Sequence, residues 1–430
     1  MEHLSVDAGA PGHALLARAD LGADAWWECV RQAGTPLCRP LDGGEMEVSF
    51  LWRDPMGGAA QSDYRRVYLD VYSHTPHPTE ELTGMQRLAD SDAWLWQTRL
   101  PDDWCGSYFL MPATSHDMPP EPVQRGALRN WWIGLMATNA RADPLNRLPS
   151  HHGAWGLPLS TIRLPNAAVH PAWDTPSAPL RGSLQQRRWR SARLDNARAV
   201  WIYTSAGATA GAAEDLPLVI LLDGHYWARH LPLLGALDAL TAGAVLPPAV
   251  YLLVDALDAR RRASELPCNA QFWLALQEEL LPQVHAVQAF TSAASRTVVA
   301  GQSFGGLAAV YAALHWPARF GLALSQSGSF WWPGTHKESP TDGVEADTPG
   351  WLTRQVDAGL GAGSGVRILL EVGCYETDML AANRAMRDAL QAAGHAPAYR
   401  EFRGGHDWIC WRDGLLSGLS QLLQFKKTGI

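Results

Sequence analysis

The hydrophobic and polar positions of this 430-residue chain change their rhythm twice. Between residues 20 and 135, apolar and polar residues alternate in short runs, as in Met46-Glu47-Val48-Ser49-Phe50-Leu51-Trp52 and Arg66-Val67-Tyr68-Leu69-Asp70-Val71-Tyr72. A period of two turns one face to a core and the other to water. Each run closes at Gly, Pro or Asp, so the pattern predicts short strands stacked in a β-sandwich. Residues 141–190 lose that period and are rich in Pro, His, Ser and Arg, which predicts an irregular linker. Beyond residue 191, strand-like runs at 218–222, 250–254, 298–300, 322–325 and 366–372 alternate with helical stretches at 269–287, 307–314 and 379–393. Strands buried on both faces between helices make a mostly parallel α/β sheet. The predicted organisation is a β-sandwich over 1–140, a linker over 141–190 and an α/β unit over 191–430.

Length supports two cores, since a single one rarely grows past ~250–300 residues. A hydrophobic content of 47% with 18% charged residues fits a globular chain, and no apolar run reaches the ~20 residues that span a bilayer. The start, Met1-Glu2-His3-Leu4-Ser5-Val6-Asp7, lacks a basic segment followed by an apolar one, so no signal peptide is expected. Cys29, Cys38, Cys105, Cys268, Cys374 and Cys410 are scattered without finger or CxxC spacing, as free thiols in a reducing compartment would be. The expected location is the cytoplasm, with no membrane partner. A net charge of −8 argues against a nucleic-acid partner, although a local arginine cluster could still attract a small anion. No metal-ligand spacing occurs around His151-His152 or the other loop histidines, so no protein-bound metal or cofactor is expected.

The candidate chemistry lies in Gly301-Gln302-Ser303-Phe304-Gly305, preceded by the β-branched run Thr297-Val298-Val299-Ala300 and followed by the alanine-rich Leu307-Ala308-Ala309-Val310-Tyr311-Ala312-Ala313-Leu314. Strand, sharp turn and helix are the context in which a G-x-S-x-G serine stands above a sheet as a nucleophile. Its base should follow late in the chain. His406, between glycines and Trp408 after the strand-like run 398–402, fits. The acid should follow the run 366–372, where both Glu376 and Asp378 stand. Oxyanion donors are the N–H of Phe304 and one from Gly224 or His225, in the turn Leu222-Asp223-Gly224-His225-Tyr226-Trp227. Arg260-Arg261-Arg262 reads equally as a solvated charge run, and Trp331-Trp332 as packing.

Longer motifs surround these residues. They include Arg262-Ala263-Ser264-Glu265-Leu266-Pro267-Cys268-Asn269, Leu324-Ser325-Gln326-Ser327-Gly328-Ser329-Phe330-Trp331-Trp332 and Gly404-Gly405-His406-Asp407-Trp408-Ile409-Cys410-Trp411-Arg412. Phe50-Leu51-Trp52-Arg53-Asp54, Gly106-Ser107-Tyr108 and Asp143-Pro144-Leu145-Asn146 accompany them in the first half. With these motifs the chain resembles the enterochelin (ferric enterobactin) esterases over nearly its whole length. The resemblance implies an Ig-like or early-set sandwich followed by an esterase-D-like α/β hydrolase. It implies hydrolysis of the trilactone esters of a ferric catecholate siderophore, whose iron enters only with the substrate. Ser303 falls on the family's nucleophile, His406 on its base and Glu376, rather than Asp378, on its acid position. Arg262 matches a family arginine and is expected to face the anionic complex. Arg261 stands where relatives often carry histidine. Trp227, Trp331 and Trp332 are candidate walls for flat catechol rings.

Two rival readings differ in class. One is another esterase-D-like enzyme, such as a feruloyl or acetyl-xylan esterase or an S-formylglutathione hydrolase. The other is a catalytically idle siderophore-binding protein. The Ser-Gln-Ser-Gly-Ser-Phe-Trp-Trp motif and the N-terminal half weigh against the first, and the intact Ser303, His406 and elbow glycines against the second.

Overall fold

Alternation at 45–53 produces a strand whose two faces meet different partners. In the computed structural model, which describes residues 11–76, 81–121, 125–153, 156–174, 179–208, 215–231, 233–333 and 349–423, the first unit contains residues up to 168 together with the return segment 403–410. Its strands are β1 (Leu37–Leu41), β2 (Glu45–Arg53), β3 (Tyr64–Val71), β4 (Gln86–Arg87), β5 (Ala93–Pro101), β6 (Cys105–Thr114), β7 (His151–His152) and β8 (Pro158–Arg163). They form two antiparallel sheets, ordered β1-β2-β5-β4 and β3-β6-β8-β7. Phe50 of β2 meets Tyr108 of β6 edge to face at 4.9 Å, joining the two inner faces. Leu51 points the other way, into a cluster with Trp26 and Trp27 of the helix Asp24–Ala33, so β2 is buried on both sides. A second helix, Arg125–Asn139, sets Trp131 and Trp132 against Tyr68 of β3.

The sandwich is present as expected, but it extends further along the chain. β7 and β8 lie inside the stretch read as a linker, where Pro158 and the short run Leu159–Ile162 hid a strand that pairs with β6 through Ser107 and Thr161. The two helices were also read as part of the strand pattern. Each carries an adjacent tryptophan pair, Trp26-Trp27 and Trp131-Trp132, which obscures the spacing of three and four that marks a helix.

The second unit holds residues 169–402 and the chain from 411 onward. Its strands are β9 (Ser183–Ser191), β10 (Asn196–Thr204), β11 (Leu218–Leu221), β12 (Val250–Val254), β13 (Thr297–Gln302), β14 (Leu322–Gln326), β15 (Arg367–Gly373) and β16 (Ala398–Phe402). They make one sheet in the order β16-β15-β14-β13-β11-β12-β10-β9. The six strands from β16 to β12 run parallel, and β10 and β9 add an antiparallel edge. β11, β12 and β13 are buried along their whole length, which explains their unbroken apolar runs. Each large aliphatic side chain so buried contributes ~1.5–3 kcal/mol. The strand order reverses between β11 and β13, and in open α/β sheets ligands bind at the carboxyl ends of the strands beside such a switch.

Candidate active site

Ser303 follows β13, one of the two strands at that switch. Its backbone lies at φ 57 and ψ −120, a region that non-glycine residues enter only when their surroundings impose it, at a typical cost of ~1–3 kcal/mol. The surroundings do impose it. The Ser303 N–H donates to the Gln326 carbonyl at 2.9 Å, and its own carbonyl accepts from the N–H groups of Leu307 at 3.0 Å and Ser329 at 3.1 Å. A Cβ at Gly301 would fall inside the backbone of Gly305, so the turn admits no side chain there. The helix Phe304–His315 then starts with its N-terminal dipole beside the serine. The Ser303 hydroxyl lies 3.2 Å from that of Ser329, which is itself buried.

Two residues beyond the neighbouring strand β11 stands Asp223, which sits in the left-handed region with φ 53 and ψ 37 and opens the helix Gly224–Arg229. This turn holds Gly224 and His225, the two residues expected to supply an oxyanion donor. Asp223 accepts two bonds from Arg262, at 2.7 and 2.8 Å, and Arg262 gives a third to the Gln302 carbonyl at 3.0 Å. Arg262 therefore ties the β11 turn to the residue preceding the nucleophile. Only 16% of its side chain is exposed, and its guanidinium carbon lies 5.8 Å from the centre of the Phe304 ring. Arg261, one position earlier in the helix Ala259–Glu265, is exposed. His225 lies 3.2 Å from Asp255. Burial pushes the Asp255 carboxyl up, but bonds from His225 and the Leu257 N–H hold it below the ordinary carboxylate range.

Glu376 stands after β15 and precedes the helix Thr377–Ala392. It is buried and accepts from the Gly373 N–H at 2.8 Å and the Ser327 hydroxyl at 2.6 Å, while the Trp411 indole donates to the same Ser327 oxygen at 2.9 Å. Asp378 lies in the first turn of that helix, and its side chain falls outside the described residues. The three residues Ser327-Gly328-Ser329 thus touch the acid candidate at one end and the nucleophile at the other. Below the elbow, Gln302 donates to Gln326 at 2.7 Å, and Gln326 donates to the Trp411 carbonyl at 2.6 Å and to Glu371, which pairs with Arg400.

His406 is half-buried in the segment 403–410, which packs with the N-terminal unit, and its backbone N–H donates to the Ser73 hydroxyl at 2.9 Å. Of the expected aromatic walls, Trp331 is half-buried, 5.8 Å from the Phe304 ring, with its indole N–H on the Met379 sulfur at 3.2 Å. Trp332 is half-buried against the core. Trp227 is wholly buried, edge to face with Tyr226 at 6.0 Å. It packs beneath the β11 turn and offers no wall to a ligand, which corrects the expectation for that residue. Sequence reasoning passed over Asp223, Ser327 and Ser329 as site residues, although all three lie inside motifs it singled out. Their signal was a polar side chain in the turn just beyond an apolar strand. All six cysteines are free thiols. Among the described residues no group of three His, Cys, Asp or Glu could hold a metal ion.

Two sequence profiles match the chain: one described as enterochelin esterase, N-terminal, over residues 47–173, and one described as putative esterase over 191–422. The iron(III) enterobactin esterase of Dickeya dadantii is 43% identical over 419 residues, covering 95% of this chain and 95% of its own. The crystal structure of ferric enterobactin esterase from Salmonella typhimurium superposes with a TM-score of 0.82 at 43% identity, covering 93% of this chain and 98% of that one. The enterobactin esterase of Shigella flexneri, solved in the presence of enterobactin, gives 0.80 at 42% identity over 94% of this chain and 98% of its own.

Proposed function

The chain belongs to the enterochelin esterase family, and from that premise we propose that it opens the ester bonds of an enterobactin-type trilactone through Ser303, His406 and Glu376. It is a carboxylic ester hydrolase. The observation that carries the residue assignment is the backbone of Ser303, held at positive φ between β13 and a helix N-terminus by bonds from three segments. Such strain at an exposed-hydroxyl turn is the signature of a nucleophile elbow.

In the proposed reaction the His406 imidazole takes the Ser303 hydroxyl proton as the oxygen attacks an ester carbonyl. The N–H of Phe304 and one from the Gly224–His225 turn receive the developing oxyanion. The C–O bond to the leaving seryl hydroxyl breaks, and His406 returns the proton to that oxygen. Water then attacks the acyl-serine with His406 again as base, releasing the acid and restoring Ser303. Glu376 sustains the imidazolium electrostatically. Three rounds take the trilactone to single dihydroxybenzoylserine units. Fragmentation destroys the preorganisation of the hexadentate ligand and so loosens its hold on iron. Iron enters as cargo of the substrate. The anionic tris-catecholate is proposed to meet Arg261 and the open edge of Arg262, with Trp331 and Trp332 beside them.

The proposed place of action is the cytoplasm, where an imported siderophore must surrender its metal. No helix among the described residues is long and apolar enough to cross a membrane. The direct test is Ser303→Ala, followed by mass analysis of products from iron-loaded and iron-free trilactone. Turnover is expected to fall by at least 10³-fold, and hydrolysis at the parental rate would sink the assignment.

A further inference from the structure

Two motifs 300 positions apart prove to be partners. Asp407, adjacent to His406, receives the Ser107 N–H on one carboxylate oxygen at 2.5 Å and the Ser107 hydroxyl on the other at 2.9 Å. Both residues are fully buried. A carboxylate only accepts, so the Ser107 hydroxyl spends its proton on Asp407 and its oxygen accepts from the His151 Nε2, 3.1 Å away, which must then carry hydrogen. The same short segment is fixed at further points. The His406 N–H donates to Ser73 at 2.9 Å, and Gly405 lies so close to Ser73 that a Cβ there would overlap its side chain. Cys410 donates to the Cys105 carbonyl at 3.1 Å, and Arg403 pairs with Asp103 at 3.2 Å. Residues 403–410 therefore pack as part of the N-terminal unit, although the chain on either side of them belongs to the second.

Ser107 is itself anchored. It lies on β6, paired with Thr161 of β8, and its carbonyl accepts from the Tyr72 N–H at 3.0 Å. A rigid strand holding a buried carboxylate through two donors fixes a loop far better than solvent-facing contacts would. Each such bond to a charged acceptor is stronger than a neutral one, and nothing in the interior can replace it.

We infer that the N-terminal unit is a positioning device for the base: Ser107, through Asp407, and Ser73, through the His406 backbone, set the place of the His406 imidazole. The inference rests on the reading of His406 as base and Ser303 as nucleophile. It assigns Ser107 and Ser73 as positioning residues and gives the accessory unit a part in turnover that no substrate contact supplies.

The test uses four variants of the full chain: Ser107→Ala, Ser73→Ala, His406→Ala and Thr35→Val. Thr35 donates to buried Asp143 in the same unit at 2.6 Å and does not touch residues 403–410, so its variant reports what general loosening of that unit does. Hydrolysis of p-nitrophenyl butyrate and of the trilactone is followed with thermal midpoints. Displacing a base by a fraction of an ångström to 1 Å costs roughly ten- to hundred-fold in rate. Ser107→Ala and Ser73→Ala are expected to lower kcat by that factor on both esters with KM within two-fold, while Thr35→Val keeps kcat within two-fold at a comparable loss of midpoint. Should Ser107→Ala fail to fold, half-buried Ser73 carries the same comparison. Parental kcat in the serine variants alongside a dead His406→Ala overturns the positioning role alone, as does a Thr35→Val loss that matches theirs. An active His406→Ala overturns the base assignment, and the positioning role falls with it.

Discussion

Arg262 grips both carboxylate oxygens of Asp223, at 2.7 and 2.8 Å, and reaches the Gln302 carbonyl with the same guanidinium. The pair joins the turn expected to bind the oxyanion to the backbone that carries the nucleophile. An arginine in that position acts through geometry more than through substrate charge, because its Nε and Nη2 donors are already engaged and only the Nη1 edge is left for a ligand. Arg262→Ala leaves a buried carboxylate unpaired, which typically costs ~3–5 kcal/mol. The expected result is a lower thermal midpoint and a kcat reduced on neutral and anionic esters alike. Arg261→Ala is expected to behave oppositely: unchanged stability, unchanged kcat on a neutral ester, and a raised KM for the ferric complex that shrinks at high salt. Steady-state kinetics on the two substrates at two ionic strengths separate these outcomes.

Ser329 lies 3.2 Å from the Ser303 hydroxyl. A neutral hydrogen bond contributes ~1 kcal/mol net, which corresponds to about five-fold in rate if it aligns the attacking oxygen. Ser329→Ala is expected to slow acylation by that factor with KM little changed. A burst experiment with an activated ester reads acylation separately, and an unaltered burst rate would show that the contact is incidental.

Glu376 receives two buried donors, so removing it affects structure as well as chemistry. Glu376→Ala strands the Ser327 hydroxyl and the Gly373 N–H at ~1–3 kcal/mol each before packing is counted. Glu376→Gln keeps an acceptor of similar size. The expected pattern is a thermal midpoint close to parental for Gln and well below it for Ala, with kcat reduced at least ten-fold in both. Full activity in Glu376→Gln would mean that the negative charge is dispensable.

Asp70 offers a pH test of stability. Burial pushes its carboxyl up to about 6, with the Thr75 hydroxyl bond pulling the other way. Its folded pKa therefore exceeds the unfolded value of ~3.9, and between the two the native state holds the extra proton. Stability from this group is greatest below pH ~4, falls as pH rises towards 6, and is flat beyond. Asp70→Asn should remove that slope and add ~3 kcal/mol at pH 7. Urea midpoints measured between pH 4 and 7 check both the slope and its loss.

The parallel sheet was legible because β11 and β12 are unbroken apolar runs and β13 to β15 carry apolar centres, and the elbow because Gly301, Ser303 and Gly305 have few other uses together between a strand and a helix. Glu376 could not be separated from Asp378 by residue type. The burial of Glu376 against Ser327, a contact spanning 49 positions, is visible only in the fold. Trp227 reads the same in sequence whether it lines a cleft or fills one, because an indole suits both. β8 was hidden because its strand is defined by pairing with β6 and not by its own period. The allegiance of His406 was invisible for the same reason: a loop has no period, and contacts such as those to Ser73 and Ser107 say where it belongs.

That allegiance also orders events during synthesis. A ribosome delivers every strand of the sandwich by residue 163, but the partner that satisfies Ser107 emerges only at residue 407 of 430. At ~5–20 residues per second the Ser107 N–H and hydroxyl wait some tens of seconds for that carboxylate. His406 is therefore a late arrival to the unit it packs with, and a chain stopped between residues 163 and 406 carries the strands of the sandwich without that histidine.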